Sequence, residues 1–381
     1  MRGRRARARV STSPASADLS GVSMDLYPLK LSFHVRTYAF GGRAIAARLG
    51  KAGLPDGDVA ETWEVSDHRD ARATVGNGPL AGTSLHDLVR ERPDEVVGRG
   101  WRGPHFPLLG KLLDASRPLP VHLHADDATA RRKYGEPNGK TEAWHILWAA
   151  EGASVLAGVR PGLSDEELTA GFLAQDYDLL MYRYPVRAGD TVYVPGGVLH
   201  AFGPDTLIFE VQQTSDLGQS VMPTDLYGRE VGEEGWRANI AETLDELRRD
   251  LFPRPNPGLV LEDGANRRTV GCAGPHFALE RWALEDVHVV DAGPRRFTTL
   301  TNLGDPVVLR FEGGREHLGR AESCLLPAGL ERVHVEPGGT ADLIACYLPD
   351  LQRDVVEPLL AQGHAPEAVA ALGAVPVGLR T

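Results

Sequence analysis

Residues 188–200 read AGDTVYVPGGVLH, and residues 320–332, RAESCLLPAGLER, align to them without a gap, matching Pro195 to Pro327 and Gly197 to Gly329. Each stretch describes a strand ended by proline, a tight turn that glycine permits at positive φ, and a return strand. The element occurs twice, so two related β units are expected in one chain. Where the first copy has His200 the second has Arg332. A repeated fold element accounts for the shared turn residues but not for the imidazole, which makes His200 a candidate ligand.

Outward from these copies the pattern is the same. The chain holds 43 Gly and 27 Pro, spread between short β-rich runs such as DTVYVP, TLIFEVQQ, FTTLTNL and DPVVLRFE. Turns punctuating short strands are the signature of sandwiches and barrels. Helical patterns are fewer: LHDLVRERPDEVVG from Leu85, a segment opened by the capping box SDEE at Ser164, EGWRANIAETLDELRRDLF at 234–252, and apolar helical spacing over roughly 350–372. PRPNPG at 253–258 breaks the third helix and marks a domain boundary. The expected organisation is an arm over 1–23, a first β-barrel domain with helical insertions over 24–252, a second over 259–349 and a helical tail over 350–381. The Arg-, Ser- and Ala-rich arm has one acidic residue and no period. It is expected to be disordered, an organelle transit peptide being the other reading, and Met24 is a candidate functional start.

With 381 residues, 42% of them hydrophobic, the chain can bury one large core or several smaller ones. A formal charge of −11 argues against nucleic acid or an anionic membrane as main partner, because phosphate backbones require clustered cations. Three cysteines, Cys272, Cys324 and Cys346, form no C-x-x-C pair, so neither a thiolate zinc site nor a disulfide framework is indicated, and a reducing cytoplasmic setting is expected. No run approaches the ~20 apolar residues of a membrane span. Oligomeric state is not legible.

A second metal-type signal lies upstream in LPVHLHADD, residues 119–127. In a strand, His122 and His124 point to the same face, a geometry suited to chelation. The partner acid is read as Glu142 in GKTEAWHIL, which shares a face with Trp144 and Ile146 while His145 lies opposite. An inward glutamate costs several kcal/mol unless a cation or hydrogen bonds compensate it. Asp126 and Asp127 follow the H-x-H too closely and read as a turn or helix cap. Three imidazoles and a carboxylate suit a borderline divalent metal, zinc first, with iron, manganese or nickel also compatible.

H-x-H together with V-Y-V-P-G-G-V-L-H resembles the cupin superfamily of small metal-binding β-barrels. A narrower resemblance, to the short bacterial type I mannose-6-phosphate isomerases, rests on YPLK, FGG, ETWEVSDH, FPLLGKLLDAS, VHLHADD, GKTEAW, AGDTVYVPGGVLHAFG and LIFEVQQTSD, in that order over roughly residues 25–350. It implies two cupin-type barrels and metal ligands at His122, His124, Glu142 and His200. It also implies phosphate-binding lysines at Lys111 and Lys140, proton transfer assisted by Asp216 and Lys140, and a pocket lined by Trp63 and Gln213. The implied reaction is metal-dependent aldose–ketose isomerisation of mannose 6-phosphate or a related sugar. Two departures stand out: His122 replaces a family glutamine, and Ser220, following Gln219, stands where the family carries a catalytic arginine. Loss of one preorganised donor typically costs ~10² to 10³ in rate, with Arg183 or Arg229 as candidate substitutes. Other readings stay open: an iron-dependent oxygenase, an isomerase of an unphosphorylated sugar, or a non-catalytic sugar-binding protein.

Overall fold

Three eight-residue strands, Leu108–Ala115, Glu142–Ala149 and Thr206–Gln213, lie together in a six-stranded antiparallel sheet. Their side chains are largely buried on both faces because both faces are covered. Trp144, Ile146 and Ile208 face inward onto a five-stranded sheet that supplies Val155 and Phe202. On the other side, Leu112, Ala143, Phe209 and Val211 join a core that also contains Cys272, Phe277, Leu279 and Cys346. That second face packs against the later half of the chain. The computed structural model describes residues 26–291 and 293–377, so the expected arm over 1–23 and Met24 lie outside the described residues.

The five-stranded sheet runs Gln219–Ser220, His122–Leu123, His200–Phe202, Ser154–Val159, Met181–Pro185. In the later half a seven-stranded and a four-stranded sheet enclose Trp282, Leu300, Leu309, Cys324, Val335 and Leu343. The molecule is therefore mainly β, as the turn-punctuated sequence implied. A division at 253–258 leaves one strand on the other side of the line. Leu29–Lys30 forms the edge of the seven-stranded sheet, pairing with Cys324 and Leu325, and Lys30 Nζ lies 2.8 Å from Glu322.

The helices are shorter than the sequence pattern. Ser84 caps Leu85–Glu91, but Pro93 lacks an N–H and opens a separate turn, Pro93–Val96. Ser164 and Glu167 form the expected capping box of Asp165–Ala174. Glu233–Glu246 stops short of Phe252 because the backbone turns away, Arg248 N donating to Gly197 O at 2.8 Å. The expected tail helix is three pieces, Leu351–Val356, Glu357–Ala361 and Pro366–Ala370, with Gly363 at φ +85° between the last two. Val355, Leu359 and Val369 bury its apolar face. Among the described residues no helix is long and apolar enough to cross a membrane.

Candidate metal centre and its cleft

Antiparallel pairing puts His200 directly opposite His122, and Ser220 pairs with His122 from the other side. The Pro195–Val198 turn sets this register. Gly197, at φ +90°, donates its N–H to His124 O at 2.6 Å, tying the turn to the H-x-H strand. A Cβ on Gly196 or Gly139 would lie 2.7 or 2.4 Å from Asp126 backbone atoms, so both turns require glycine for close approach. Asp126 and Asp127 act locally: Asp126 caps a short helix through Thr129 N, and Asp127 accepts from Gly139 N at 2.8 Å.

Each of the three histidines directs Nδ1 at a backbone carbonyl: His122 at Pro120 (2.7 Å), His124 at Leu217 (2.7 Å), His200 at Val198 (2.8 Å). A carbonyl can only accept, so Nδ1 holds the proton and Nε2 presents a lone pair. These Nε2 atoms converge. His122 and His200 Nε2 are 3.1 Å apart, His200 Nε2 is 3.1 Å from Glu142 Oε1, and His124 Nε2 is 3.3 Å from Glu142 Oε2. Burial, with the neighbouring imidazoles, holds His122 well below the usual histidine range; burial, with Lys140, lowers His124 to about 3. Burial also pushes Glu142 upward, but Lys140 and the imidazoles outweigh it and hold the carboxyl well below its ordinary value. The result is an ionised carboxylate beside His122 and His124 imidazoles held neutral. The Nε2 atoms of His122 and His200, on rings whose Nδ1 atoms are already engaged, are crowded to 3.1 Å, and Glu142 Oε2 is buried without a well-directed hydrogen bond although Lys140 Nζ lies 3.0 Å away. A divalent cation among these donors satisfies both, and the donor set fits one.

Lys140 Nζ, 2.8 Å from His124 Nε2, closes the cluster. Lys111 lies elsewhere on the six-stranded sheet, its ammonium 2.9 Å from Glu210 and 3.7 Å from Glu61, with Trp63 beneath it. Burial disfavours its charge, yet the two carboxylates outweigh burial and raise its pKa. Trp63 is buried and donates to Glu61 at 2.6 Å. Gln213 bridges Thr141 N (2.9 Å) and Asp127 (3.0 Å), so its amide secures the turn before Glu142.

Asp216 is exposed on the wall of a cleft of about 320 Å³, with His68, Arg69, Arg72, His105, Asn138 and Leu217 among its lining residues. The Leu217 carbonyl that orients His124 therefore belongs to the same wall. At the missing-arginine position, Ser220 Oγ turns back to Val121 O at 3.3 Å. Arg183 is held by Asp178 and Ser154, and Arg229 by Asp225, so both candidate substitutes are spent on surface partners. Arg332, in the second copy, pairs with exposed Asp291. His68, Asp67, His86 and His105 went unassigned in the sequence; the only signal was the end of ETWEVSDH, which supplies Asp67 and His68.

Three comparisons bear on this centre. The family described as phosphomannose isomerase type I, catalytic domain, matches residues 28–152. The mannose-6-phosphate isomerase of Streptococcus mutans is 34% identical over 258 residues, 68% of this chain and 79% of that one. The crystal structure of the Bacillus subtilis mannose 6-phosphate isomerase superposes with a TM-score of 0.74 at 27% identity, covering 84% of this chain and 99% of that one. A mannose 6-phosphate isomerase solved in a zinc-bound holo form shares the fold, with a TM-score of 0.65 at 17% identity, covering 84% and 99% of the two chains.

Proposed function

We propose that this chain, which belongs to the type I mannose-6-phosphate isomerase family, is a divalent-metal-dependent isomerase of mannose 6-phosphate that yields fructose 6-phosphate. The observation that carries this reading is the convergence of His122, His124, His200 and Glu142, drawn from three separate strand ends, with the Nε2 atoms of His122 and His200 3.1 Å apart. These four residues hold the metal, zinc in the first place, and a bound ion supplies Lewis-acid polarisation of the sugar oxygens.

The remaining work falls to the chain's own groups. Isomerisation moves a proton between adjacent carbons and builds negative charge on the enediolate. Lys140, beside Glu142 and His124, provides a positive charge next to that developing anion. Asp216, on the exposed cleft wall, is the proton-transfer carboxylate, worth typically ~10² to 10⁴ in rate. Arg69 and Arg72 are the cleft's cations for the sugar's phosphate, set among Asp70, Glu136 and Asp216, with Arg69 3.2 Å from Glu136. Lys111, bonded to Glu210 and Glu61, keeps two buried carboxylates compensated under the pocket. Ser220 contributes no cation, so turnover is expected to be slower than an arginine-bearing relative by ~10² to 10³.

The test is to strip the metal, reconstitute the chain with zinc, and follow fructose 6-phosphate from mannose 6-phosphate, with mannose and iron-loaded protein under oxygen as parallel arms. Zinc-dependent turnover of the phosphorylated sugar supports the reading. Turnover of mannose alone, oxygen uptake, or full activity in His200→Ala overturns it.

A further inference from the structure

Apart from the His122–His124–His200 centre, a second set of ligand atoms gathers beyond the end of the Glu61–Val65 strand, with no part in the proposed reaction. Asp67 is fully buried; its Oδ1 lies 3.0 Å from His86 Nδ1 and its Oδ2 3.9 Å from His105 Nδ1. One atom from each of these three residues lies within 4.8 Å of the other two. The three come from unrelated pieces of sequence. Asp67 follows the Glu61–Val65 strand, His86 sits in the first turn of Leu85–Glu91, and His105 precedes Phe106. The backbone fixes them in place, since Phe106 N–H donates to Asp67 Oδ2 at 2.8 Å.

An independent observation separates this cluster from a simple ion-pair hub. His105 Nδ1 is buried and has no hydrogen-bond partner, though it faces the carboxylate. A buried ring nitrogen normally finds a partner, so one left open beside two other donors points to a missing ligand. The local counter-charge is Arg72, whose Nε is 3.7 Å from Asp67 Oδ1 and whose side chain is 40% exposed, free to extend into solvent.

We infer that Asp67, His86 and His105 bind a second late first-row divalent cation, of the zinc, cobalt or nickel class, independently of the barrel centre. Two imidazoles and a carboxylate are the donor set those ions prefer, and three protein ligands leave a position for water. His86 and His105 side chains are 19% and 28% exposed, giving that water access. Because one oxygen of Asp67 already accepts from Phe106 and Arg72 competes for the other, this site binds more weakly than the buried four-ligand centre. His105 also lines the 320 Å³ cleft, so the ion sits in its wall.

Metal content measured on the tag-free full-length chain, dialysed against a series of free zinc concentrations, tests the assignment. Wild type should take up about two ions per chain in two separated steps, and His105→Ala about one, with the weaker step gone. His105→Ala leaves the Asp67–His86 and Asp67–Phe106 bonds intact, and unchanged thermal melting of the metal-free variant checks its fold. His200→Ala should lose the tighter step and keep the weaker one, which separates failure of this inference from failure of the isomerase reading. A single step in wild type, or a weaker step undiminished in both His105→Ala and His86→Ala/His105→Ala, overturns it.

Discussion

Replacing Lys111 by methionine tests whether this lysine holds the pocket together or holds the phosphate. Lys111 and Glu210 are opposite one another on neighbouring strands, 2.9 Å apart, each 4% exposed, with Glu61 3.7 Å from the same ammonium. At an effective dielectric of ~20 the attraction across that gap is about 6 kcal/mol, partly offset by desolvation, and breaking such a pair by removing one partner costs ~3–5 kcal/mol. A second route bounds the loss. The stranded Glu210 can take a proton, and neutralising a glutamate of ordinary pKa near 4.3 at pH 7 costs about 3.5 kcal/mol at ~1.36 kcal/mol per unit. Lys111→Met should therefore lose about 3–4 kcal/mol in equilibrium urea unfolding at pH 7, and only about 1 kcal/mol at pH 5. Lys111→Met/Glu210→Gln should regain at least ~2 kcal/mol, since the nearer carboxylate is gone and Glu61, 3.7 Å from the ammonium, keeps its bond from Trp63 Nε1. If Lys111 also contacted phosphate, the stable double variant would show a raised KM for mannose 6-phosphate. A loss below ~1 kcal/mol for Lys111→Met at pH 7, or a double variant no more stable than the single one, would refute the charge-pair argument.

Other expected outcomes are narrower. His200→Ala should weaken zinc binding by more than ~100-fold, since even partners outside the ligand set cost 10–100-fold; metal competition against a coloured chelator reads it. Chelation should lower the melting temperature of the zinc-loaded chain, the lost stabilisation being ~4 kcal/mol at free metal a thousandfold above Kd. Gly197→Ala strains a φ of +90° and sets a Cβ 2.4 Å from Arg248 Cγ, so the turn carrying His200 should be destabilised by ~1–3 kcal/mol in urea unfolding. Asp127 is pushed up by burial, but its bonds from Gln213 and Gly139 outweigh that and lower its pKa. Its stabilisation is present above the unfolded value and disappears as pH falls through the folded one. Asp127→Asn should thus be destabilising at pH 7, with an effect that shrinks progressively as pH falls below 3.8, read by unfolding across that range.

What could be read from the chain followed side-chain alternation. H-x-H, VLH and TEAW each carry their own strand period, so inward pointing was legible, and so was the capping box at Ser164. Pairing was not: nothing in VHLH states that His122 faces His200 across a ladder. Roles set by partners from other strands were equally hidden. Lys111, a phosphate ligand by resemblance, has Glu210 and Glu61 beside its ammonium, and Gln213, read as a pocket residue, engages Thr141 and Asp127 through its amide, partners that no local pattern announces. The helix after Glu233 ended early because a long-range bond from Arg248 to Gly197 overrode local propensity. Asp67 lies near the end of ETWEVSDH, but His86 and His105 belong to no motif, and only the folded loops around Phe106 bring the three together.

The pairing of Leu29–Lys30 with Cys324 and Leu325 has a consequence for biogenesis. Leu29–Lys30 finds its hydrogen-bonding mate only once Cys324 and Leu325 have been translated. Until then its edge stays open, and Lys51, which also bonds to Ala321 O, waits for the same late segment. Closure therefore depends on contacts of extreme sequence separation, the slow kind, and a nascent chain stalled before residue 320 leaves Leu29–Lys30 without a sheet to join.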